Sequence, residues 1–404
     1  MNENENLVPK RRFKEFKNTG TWEQRKLGEL INLENGFAFK SEYFQEDPSD
    51  VIVLTPGNVN IGGGFQSGKG RFYNIAGKFP DKFIFKPGDI FVTMTDLTPS
   101  GQTLGLPAIV PDDGITYLHN QRLGKLVNFS GDREFLFYVF NTEDYHKHIV
   151  ATASGTTVKH SSSSKILDYV VHIPIIEEQT KIGAFLNKLD NTIALHQRKL
   201  EKSKALKSAY LSEMFPAEGE RKPKRRFAGF TDDWEQRKLI DVAEMFDNLR
   251  IPVTASDRVE GNTAYYGANG IQDYVDGFTH DGEFVLIAED GANDLINYPV
   301  NYVKGKIWVN NHAHVVSGKK SELDNLFLTA RIKSMNISHW LVGGGRAKLN
   351  GDVLKKIPLT LPIYEEQKKI GAFFKQLDDA ITLHQHKLEK LQNIKQAYLN
   401  EMFV

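Results

Sequence analysis

Apolar residues recur at intervals of three and four along two stretches of the chain that read almost alike. Residues 177–215 run EEQTKIGAFLNKLDNTIALHQRKLEKSKALKSAYLSEMF, and residues 365–403 run EEQKKIGAFFKQLDDAITLHQHKLEKLQNIKQAYLNEMF. The stretches align without a gap at a constant offset of 188 residues, with 25 identities in 39 positions. This spacing puts the apolar side chains on one stripe of an α-helix. Each stretch is therefore predicted to form one helix, roughly 58 Å long at about 1.5 Å per residue.

The apolar stripes also predict how the helices pack. A helix of that length exceeds what one small core can cover, so two such helices most simply cover each other as an antiparallel pair. The residues predicted to pair the helices or to bind a partner are Ile182, Phe185, Leu189, Ile193 and Leu200 in the first copy, and Ile370, Phe373, Leu377, Ile381 and Leu388 in the second.

A second repeat precedes each helix. Residues 9–27 read PKRRFKEFKNTGTWEQRKL, and residues 223–239 read PKRRFAGFTDDWEQRKL. The chain therefore consists of two tandem halves, each with a basic leading segment, a variable module and a long helix. The predicted organisation is an N-terminal arm and leading segment at 1–27, a first module at 28–176, a first helix at 177–215, a linker and second leading segment at 216–239, a second module at 240–364 and a second helix at 365–404.

The two modules share little sequence, but both alternate short strand-like runs with turn signals. A helix is predicted at 133–150 in the first module and at about 322–337 in the second. In the second module, 298–303 and 306–309 are predicted as two separate strands. The predicted fold class is α/β (mixed α+β): two globular modules with mixed or largely antiparallel sheets, combined with two long antiparallel coiled-coil helices in a pseudo-twofold tandem repeat.

The offset of 188 residues extends upstream of the helices and matches two loops rich in small residues. These loops are SGTTVKHSSSS (154–164) and GGGRAKLNG (343–351), and Gly155 aligns with Gly343. Glycine permits close approach of a backbone to a surface, and the neighbouring residues supply hydrogen-bond donors. The sequence leaves two interpretations open, a plain exposed connection and a loop that contacts phosphates or bases.

Length and composition limit the number of domains and the class of protein. A chain of 404 residues with 51 basic and 51 acidic residues predicts two or three domains and is neutral overall, so only local clusters of charge could favour nucleic acid. No apolar run approaches the ~18 residues of a membrane span, and MNENENLVPK lacks the apolar core of a signal peptide. A cytoplasmic protein is expected.

A search for catalytic or metal-binding motifs favours neither kind of site. Residues 63–70 (GGFQSGKG) nearly spell a phosphate-binding loop, but glycine stands where a Ser or Thr must hold Mg²⁺. His312 and His314 share one face of a strand without a third ligand at the usual spacing. We found neither an Asn/Asp-Pro-Pro-aromatic methyltransferase tetrapeptide nor a nuclease carboxylate cluster. The sequence therefore predicts a protein that recognises something, with no catalytic residues and no metal site.

Taken together, the tandem halves, the two WEQRKL segments and the EEQ-x-KIGAF helix starts resemble the specificity subunit of a type I restriction–modification system, over essentially the whole chain. The resemblance implies that each module is a target-recognition domain for one half of a bipartite site in double-stranded DNA. It implies further that the helices bind two methyltransferase subunits, which bring S-adenosylmethionine and methylate adenine. Restriction subunits would bring ATP and Mg²⁺, and this chain would bind no cofactor itself.

Residue type alone supplies candidates for DNA contact, because arginine pairs well with guanine, and asparagine or glutamine with adenine. The candidates are Gln121, Arg122, Lys159 and His160 in the first module, and Asn310, Asn311, Arg346, Lys348 and Asn350 in the second. Two alternative functions remain: a stand-alone DNA modification enzyme, and a non-catalytic coiled-coil scaffold that joins protein partners.

Overall fold

The computed structural model describes residues 8–343 and 347–404. They form two compact units: the first comprises the residues up to Leu195 together with Leu388–Val404, and the second comprises His196–Lys387. The division falls within both long helices, so each unit contains one module, the start of one helix and the end of the other. Among the described helices, none is both long and apolar enough to cross a membrane.

The first unit is built mainly from short strands. Its elements are strands β1 (Glu23–Lys26), β2 (Asn32–Asn35), β3 (Val51–Val53), β4 (Arg71–Phe72), β5 (Ile90–Thr93), β6 (Thr95–Asp96), β7 (Pro107–Ile109), β8 (Thr116–Leu118), β9 (Leu123–Val127), β10 (Lys159–His160) and β11 (Val170–Ile173), and helices α1 (Leu27–Leu30), α2 (Arg133–Val139), α3 (Glu143–Thr152), α4 (Ser163–Leu167) and the first part of α5 (Ile176–Glu213). One sheet has the antiparallel order β2-β9-β5-β7, and another has the order β4-β3-β8 with β3 and β8 parallel.

The second unit contains one larger sheet. Its elements are the end of α5, strands β12 (Glu235–Lys238), β13 (Ala243–Met245), β14 (Glu260–Gly267), β15 (Gly270–Val275), β16 (His280–Ala288), β17 (Val300–Val309), β18 (Ala313–Gly318) and β19 (Pro358–Leu361), and helices α6 (Leu239–Val242), α7 (Asn325–Ser334), α8 (Gly351–Leu354) and the first part of α9 (Tyr364–Met402). The end of α9, from Leu388, belongs to the first unit. Six strands pair in the order β13-β18-β16-β17-β14-β15, all antiparallel except β14 and β17. The predicted mixed α/β class is confirmed.

The long helices α5 and α9 pack antiparallel in each unit. In the first unit the rings of Phe185 and Tyr398 are 4.8 Å apart. In the second unit Nδ1 of His196 lies 3.0 Å from Nδ1 of His384, and the rings of Tyr210 and Phe373 are 4.9 Å apart. Residue numbers rise along α5 as they fall along α9, which confirms the predicted antiparallel arrangement.

The residues predicted to pair the helices divide into two groups. Ile182 and Ile370 are each 1% exposed and pack into the core of their module, and Leu200 is 8% exposed. The remaining seven are half-buried: Phe185, Leu189, Ile193, Phe373, Leu377, Ile381 and Leu388. The stripe therefore serves two purposes, because its first turns complete a module core and its later turns lie along the other helix.

The basic leading segments hold the starts of the long helices. In the first unit Arg12 donates two hydrogen bonds of 2.7 Å, from Nε and Nη2, to the two carboxylate oxygens of Glu178. Arg226 holds Glu366 in the same way in the second unit, with the same two distances. Both glutamate side chains are fully buried. A buried carboxylate needs a cation with matching geometry, and a bidentate arginine supplies it.

Each Trp-Glu-Gln-Arg-Lys-Leu repeat contains a strand that pairs with the last strand of its module. Strand β1 pairs antiparallel with β11, and β12 pairs in the same way with β19. Trp22 and Trp234 precede these strands and are almost fully buried in the two module cores. Both repeats are therefore structural, since they join the leading segment to the strand that comes directly before the long helix.

A glutamine and a glycine in each long helix receive the N-terminus of a module helix. Oε1 of Gln367 accepts a hydrogen bond of 3.0 Å from the backbone N–H of Asp324, the N-cap residue of α7. A Cβ at Gly371 would lie 2.6 Å from the backbone nitrogen of Phe327. Gln179 and Gly183 make the equivalent contacts with α2. Only glycine lets the two helices approach this closely.

We predict that Gly371→Ala destabilises the protein, although glycine-to-alanine changes in a helix interior ordinarily stabilise by about 1 kcal/mol. The added methyl group must displace the backbone of α7, and such overpacking costs about 1–3 kcal/mol. Urea unfolding of the full chain measures the change. The neighbouring exposed Ala372→Gly serves as a control for helix propensity alone and should lose about 1 kcal/mol. A more stable Gly371→Ala variant would contradict the close approach.

Candidate nucleic-acid interface

In the first module, two of the candidate residues lie on a tight turn between β8 and β9. Oδ1 of Asn120 accepts a hydrogen bond of 2.9 Å from the backbone N–H of Arg122, which closes the turn. The side chains of Gln121 and Arg122 are both exposed. An asparagine that bonds to the backbone two residues ahead is a common way to fix such a turn. The turn therefore presents Gln121 and Arg122 to solvent on a fixed backbone.

The glycine-containing loop of the first module lies beside this turn. Ser154 and His160 exchange backbone hydrogen bonds of 2.9 and 2.8 Å, which close the loop on itself. Gly155 has φ +90°, and a Cβ there would lie 2.1 Å from the carbonyl oxygen of Val158. The position therefore requires glycine. Lys159 is half-buried and His160 is exposed at the end of the loop.

Met94 joins the turn to the loop. Its backbone N–H donates to the carbonyl oxygen of Arg122 at 2.8 Å, and its carbonyl oxygen accepts from the N–H of Ser161 at 3.0 Å. On the loop side, Oγ1 of Thr95 is 3.2 Å from Nδ1 of His160. The fold therefore brings together Arg122 and His160, which are far apart in sequence, on the two sides of one strand end.

The second module repeats this arrangement. Oδ1 of Asn310 accepts from the N–H of His312 at 2.8 Å. The backbone of Glu289 bonds on one side to His312 (2.9 Å) and on the other to Leu349 (2.7 Å). Glu289 thus corresponds to Met94, and the turn 310–312 corresponds to the turn 120–122.

The loop of the second module has the same closure. Val342 and Lys348 exchange two backbone hydrogen bonds of 2.9 Å, as Ser154 and His160 do in the first module. Gly343 has φ +96°, close to the +90° of Gly155. The two modules therefore present equivalent turns, and loops whose ends are closed by equivalent backbone hydrogen bonds, with different side chains on them.

The candidate residues of the second module occupy different parts of this surface. Asn311 is exposed, whereas Asn310 is 4% exposed and its carboxamide is used within the turn and by Gln272. Lys348 is half-exposed, and Asn350 is half-buried at the start of α8. Arg346 lies outside the described residues.

A cluster of charged residues holds the base of the second loop. Nζ of Lys348 lies 2.9 Å from one oxygen of Glu289, and Nη1 of Arg250 lies 2.6 Å from the other. Nδ1 of His314 lies 2.6 Å from Asp247, while its Nε2 lies 2.8 Å from the carbonyl oxygen of Leu349. The loop is therefore tied by both its side chains and its backbone to the sheet beneath it.

The electrostatics of this cluster favour ionised carboxylates. Burial by itself would raise the pKa of Asp247, but hydrogen bonding and charge from His314, with help from the Val315 N–H and Arg250, leave that pKa below its usual value. Burial opposes ionisation of Glu289 as well, and the hydrogen bonds from Arg250 and Lys348 outweigh it, so its pKa is also lowered. Each acid thus stays charged because hydrogen-bond donors and positive charge beside it compensate for its burial.

Ligand atoms of Asp247, Glu289 and His314 lie within 4.8 Å of one another, a spacing compatible with a bound metal ion. Arg250 and Lys348 already neutralise these carboxylates, however, and a metal ion would have to displace them. We therefore assign the cluster to positioning the loop. Of the two histidines considered from the sequence, His314 belongs to this cluster and His312 contacts Asp290.

The sequence search missed Asn120 and His312 as members of the interface. A signal for both turns was present, because HNQR and NNH each place an asparagine two residues before the last residue of the turn, Arg122 or His312. Met94 and Glu289 carry no local signal, since their role is to connect two segments that are distant in sequence.

Comparison with known proteins identifies relatives of both modules. The family model described as type I restriction modification DNA specificity domain matches residues 19–204 and again 231–393. Over 136 residues the chain is 50% identical to a putative type I restriction enzyme specificity subunit of Haemophilus influenzae, covering 34% of this chain and 35% of that protein. Over 195 residues it is 26% identical to the type I restriction enzyme MjaVIII specificity subunit of Methanocaldococcus jannaschii, covering 47% and 44% of the two chains. The matches thus span less than half the length of these two relatives.

A solved structure shares the fold over nearly the whole length. The crystal structure of a type I restriction-modification system S subunit from M. genitalium matches 98% of this chain and 99% of its own, with a TM-score of 0.72 and 17% sequence identity. At that identity the match establishes the fold.

We predict that Asp247→Asn lowers the stability of the protein at pH 7 by about 1.5–3 kcal/mol, because it removes a charge that hydrogen bonds to His314. The lowered pKa of Asp247 means that the native state binds the proton less readily than the unfolded state. The ionised Asp247 carboxylate therefore stabilises the fold at pH values above its pKa in the unfolded state, near 4. This stabilisation is lost as the pH falls through the lower pKa of Asp247 in the folded state. The difference in the free energy of unfolding between the unmodified protein and Asp247→Asn should therefore become smaller at acidic pH. Urea unfolding at pH 7 and at pH 4 and below measures it.

A matched control is Asp352→Asn, at an exposed aspartate that pairs with Lys355 on the surface. Its effect should be small, because exposed ion pairs contribute little to stability. Equal losses for the two variants, or a gap for Asp247→Asn that does not change with pH, would contradict the role given to the cluster.

Proposed function

Because the chain belongs to the family of type I restriction modification DNA specificity domains, with two copies of the domain, we propose that it is the DNA sequence-specificity subunit of a type I restriction–modification complex. Each module reads one half of a bipartite site in double-stranded DNA. The reaction is carried out by partner subunits, and this chain supplies recognition.

The observation that carries this proposal is the equivalence of the two interface surfaces. The turns at 120–122 and 310–312 and the loops at 154–160 and 342–348 share their backbone hydrogen bonds. The side chains at equivalent positions differ, however: Arg122 of the first module corresponds to His312 of the second, and His160 corresponds to Lys348. A constant backbone with different side chains suits two readers of the same kind that recognise two different half-sites.

The side chains on these surfaces suit distinct kinds of DNA contact. Arg122 has the planar fork that pairs with the O6 and N7 atoms of guanine, and Asn311 has the carboxamide that pairs with adenine. Lys159 and Lys348 lie beside them and suit phosphate contacts, which fix register without reading sequence. Lys348 differs from Lys159 in its ion pair with Glu289, which holds its ammonium group in one place.

The proposed partners are two methyltransferase subunits, which bring S-adenosylmethionine and methylate adenine, and restriction subunits, which bring ATP and Mg²⁺. Support for docking on the long helices comes from two exposed leucines at corresponding positions. Leu195 is 48% exposed and Leu383 is 50% exposed, and they are related by the 188-residue offset. An exposed apolar side chain on a polar helix face is a suitable anchor for a partner protein.

We propose further that the chain has no catalytic activity of its own. The described group of Asp247, Glu289 and His314 is engaged in ion pairs and hydrogen bonds that hold the interface loop. The chemistry therefore belongs to the methyltransferase and restriction subunits, in keeping with a cytoplasmic complex that acts on DNA.

We predict that Arg122→Ala relaxes recognition at one base pair of one half-site. Loss of a bidentate contact with guanine should reduce discrimination there by about 1–3 kcal/mol, or roughly 5- to 150-fold. The other half-site, read by the second module, should not change. Methylation of a library of sites by the chain reconstituted with its methyltransferase subunits measures both effects.

Two controls accompany this experiment. Arg122→Lys keeps the charge and loses the planar fork, so it should relax specificity while largely retaining affinity for non-specific DNA. The purified chain without methyltransferase subunits should transfer no labelled methyl group to DNA. Methyl transfer by the chain alone would favour a stand-alone enzyme, and unchanged specificity in both Arg122 variants would remove Arg122 from the interface.

We predict that the double change Leu195→Glu and Leu383→Glu weakens binding of the methyltransferase subunits about 10- to 100-fold, because it places charge where an apolar contact is required. The melting temperature should stay close to that of the unmodified chain, since both side chains are exposed. Analytical ultracentrifugation of the mixed subunits gives the affinity. The exposed neighbour Gln385→Glu adds one such charge without removing an apolar group and should bind normally. Full affinity in the double variant would place the docking surface elsewhere.

A further inference from the structure

The second module contains a buried arginine in the last turn of α7. Arg331 is 8% exposed, and its Nε has no hydrogen-bond partner. Its Nη1 lies 3.3 Å from Oγ of Ser334, and its guanidinium carbon lies 5.7 Å from the centre of the Phe215 ring. Within residues 8–343 and 347–404, no carboxylate forms an ion pair with it. Burial lowers the pKa of Arg331 to about 10, so it is still a cation at neutral pH.

A cavity of about 270 Å³ lies against this arginine. The residues that line it include Trp340 and four with polar side chains, Gln236, Asn336, His339 and Thr360. One acidic residue, Glu218, stands at the exposed rim. The cavity therefore combines one buried positive charge with several residues that can form hydrogen bonds.

The first module shows that the fold does not require an arginine at this position. Asp132 caps α2 by accepting from the N–H of Phe135, and Asp324 caps α7 by accepting from that of Phe327. The two helices therefore correspond residue by residue, and Arg331 corresponds to Val139, which is 1% exposed.

The equivalent cavity of the first module has the opposite electrostatic character. Its volume is about 210 Å³, and Glu143 and Asp144 line it beside Val139. Met335 and Asn336 occupy the corresponding positions in the second module. Packing alone is satisfied by valine, whereas a buried and unpaired cation costs several kcal/mol. Among the described residues, Arg331 has a neutral hydroxyl and an aromatic ring beside it but no negative charge that balances it.

We propose that the cavity beside Arg331 binds a carboxylate group, supplied either by a free small carboxylate or by an acidic side chain of a bound polypeptide. A guanidinium matches the planar, two-oxygen geometry of a carboxylate. The same chain already uses this pairing at Arg12 with Glu178 and at Arg226 with Glu366. A phosphate dianion fits less well, because one guanidinium would have to balance two charges close to Glu218.

Thermal unfolding of the full chain tests this proposal. The unmodified protein is compared in sodium acetate, in tetraglutamate, in sodium phosphate and in sodium chloride at equal ionic strength and pH. At a ligand concentration about tenfold above Kd, carboxylate should raise the melting temperature of the second unit, which contains the site, by about 3–6 °C. Arg331→Val, which copies the residue of the first module, should show no such rise. Without carboxylate, it should melt at the same temperature as the unmodified chain or higher, because an unpaired buried charge has been removed.

The other outcomes separate the alternatives. A rise with tetraglutamate but not with acetate assigns the carboxylate to a polypeptide. Equal rises in the unmodified and Arg331→Val proteins would indicate an adventitious additive only and overturn the site. A larger rise with phosphate than with acetate would overturn the carboxylate assignment. Should Arg331→Val fail to fold, the arginine is needed for packing and the proposal falls, unless Arg331→Met folds and shows the expected loss of response.

Discussion

Each unit depends on one buried ion pair at the start of a long helix. Glu178 and Glu366 are fully buried carboxylates, and each is held through both oxygens by an arginine of the leading segment, Arg12 or Arg226. Removing one partner of such a pair leaves an uncompensated charge and costs about 3–5 kcal/mol. The pair therefore fixes the leading segment against the start of the long helix. The glutamine that follows each glutamate fixes the same helix against its module.

The same pair explains why the repeats in the sequence occur where they do. PKRRF supplies the arginine, EEQ supplies the glutamate and the glutamine that receives a module helix, and IGAF supplies the glycine that lets this helix approach. WEQRKL supplies a strand that pairs with the segment before the long helix. The repeated residues thus form one connected structure in each unit, while the variable residues lie on the surface that it supports.

Much of this architecture could be predicted from the sequence. The helices predicted at 177–215 and 365–404 occur at Ile176–Glu213 and Tyr364–Met402, because long periodic stripes are strong local signals. The predicted helix at 133–150 is in fact two helices, since Thr142 caps a new start at Glu143. The strands predicted at 298–303 and 306–309 are one strand, Val300–Val309, because Gly305 takes a positive φ opposite Gly282 without ending the pairing.

The candidate interface was harder to predict from the sequence, because the number of residues between equivalent positions of the two modules is not constant. The loops correspond at an offset of 188 residues, which the sequence shows, but Asn120 corresponds to Asn310 at an offset of 190, and Met94 to Glu289 at 195. Insertions between these points hide the match from any comparison at fixed spacing. The equivalence is visible in the backbone hydrogen bonds, because these depend on backbone geometry and not on side-chain identity. Side chains on this surface can therefore differ between the modules without loss of the fold. Arg331, at the position equivalent to Val139, shows that charge can also differ at a buried position.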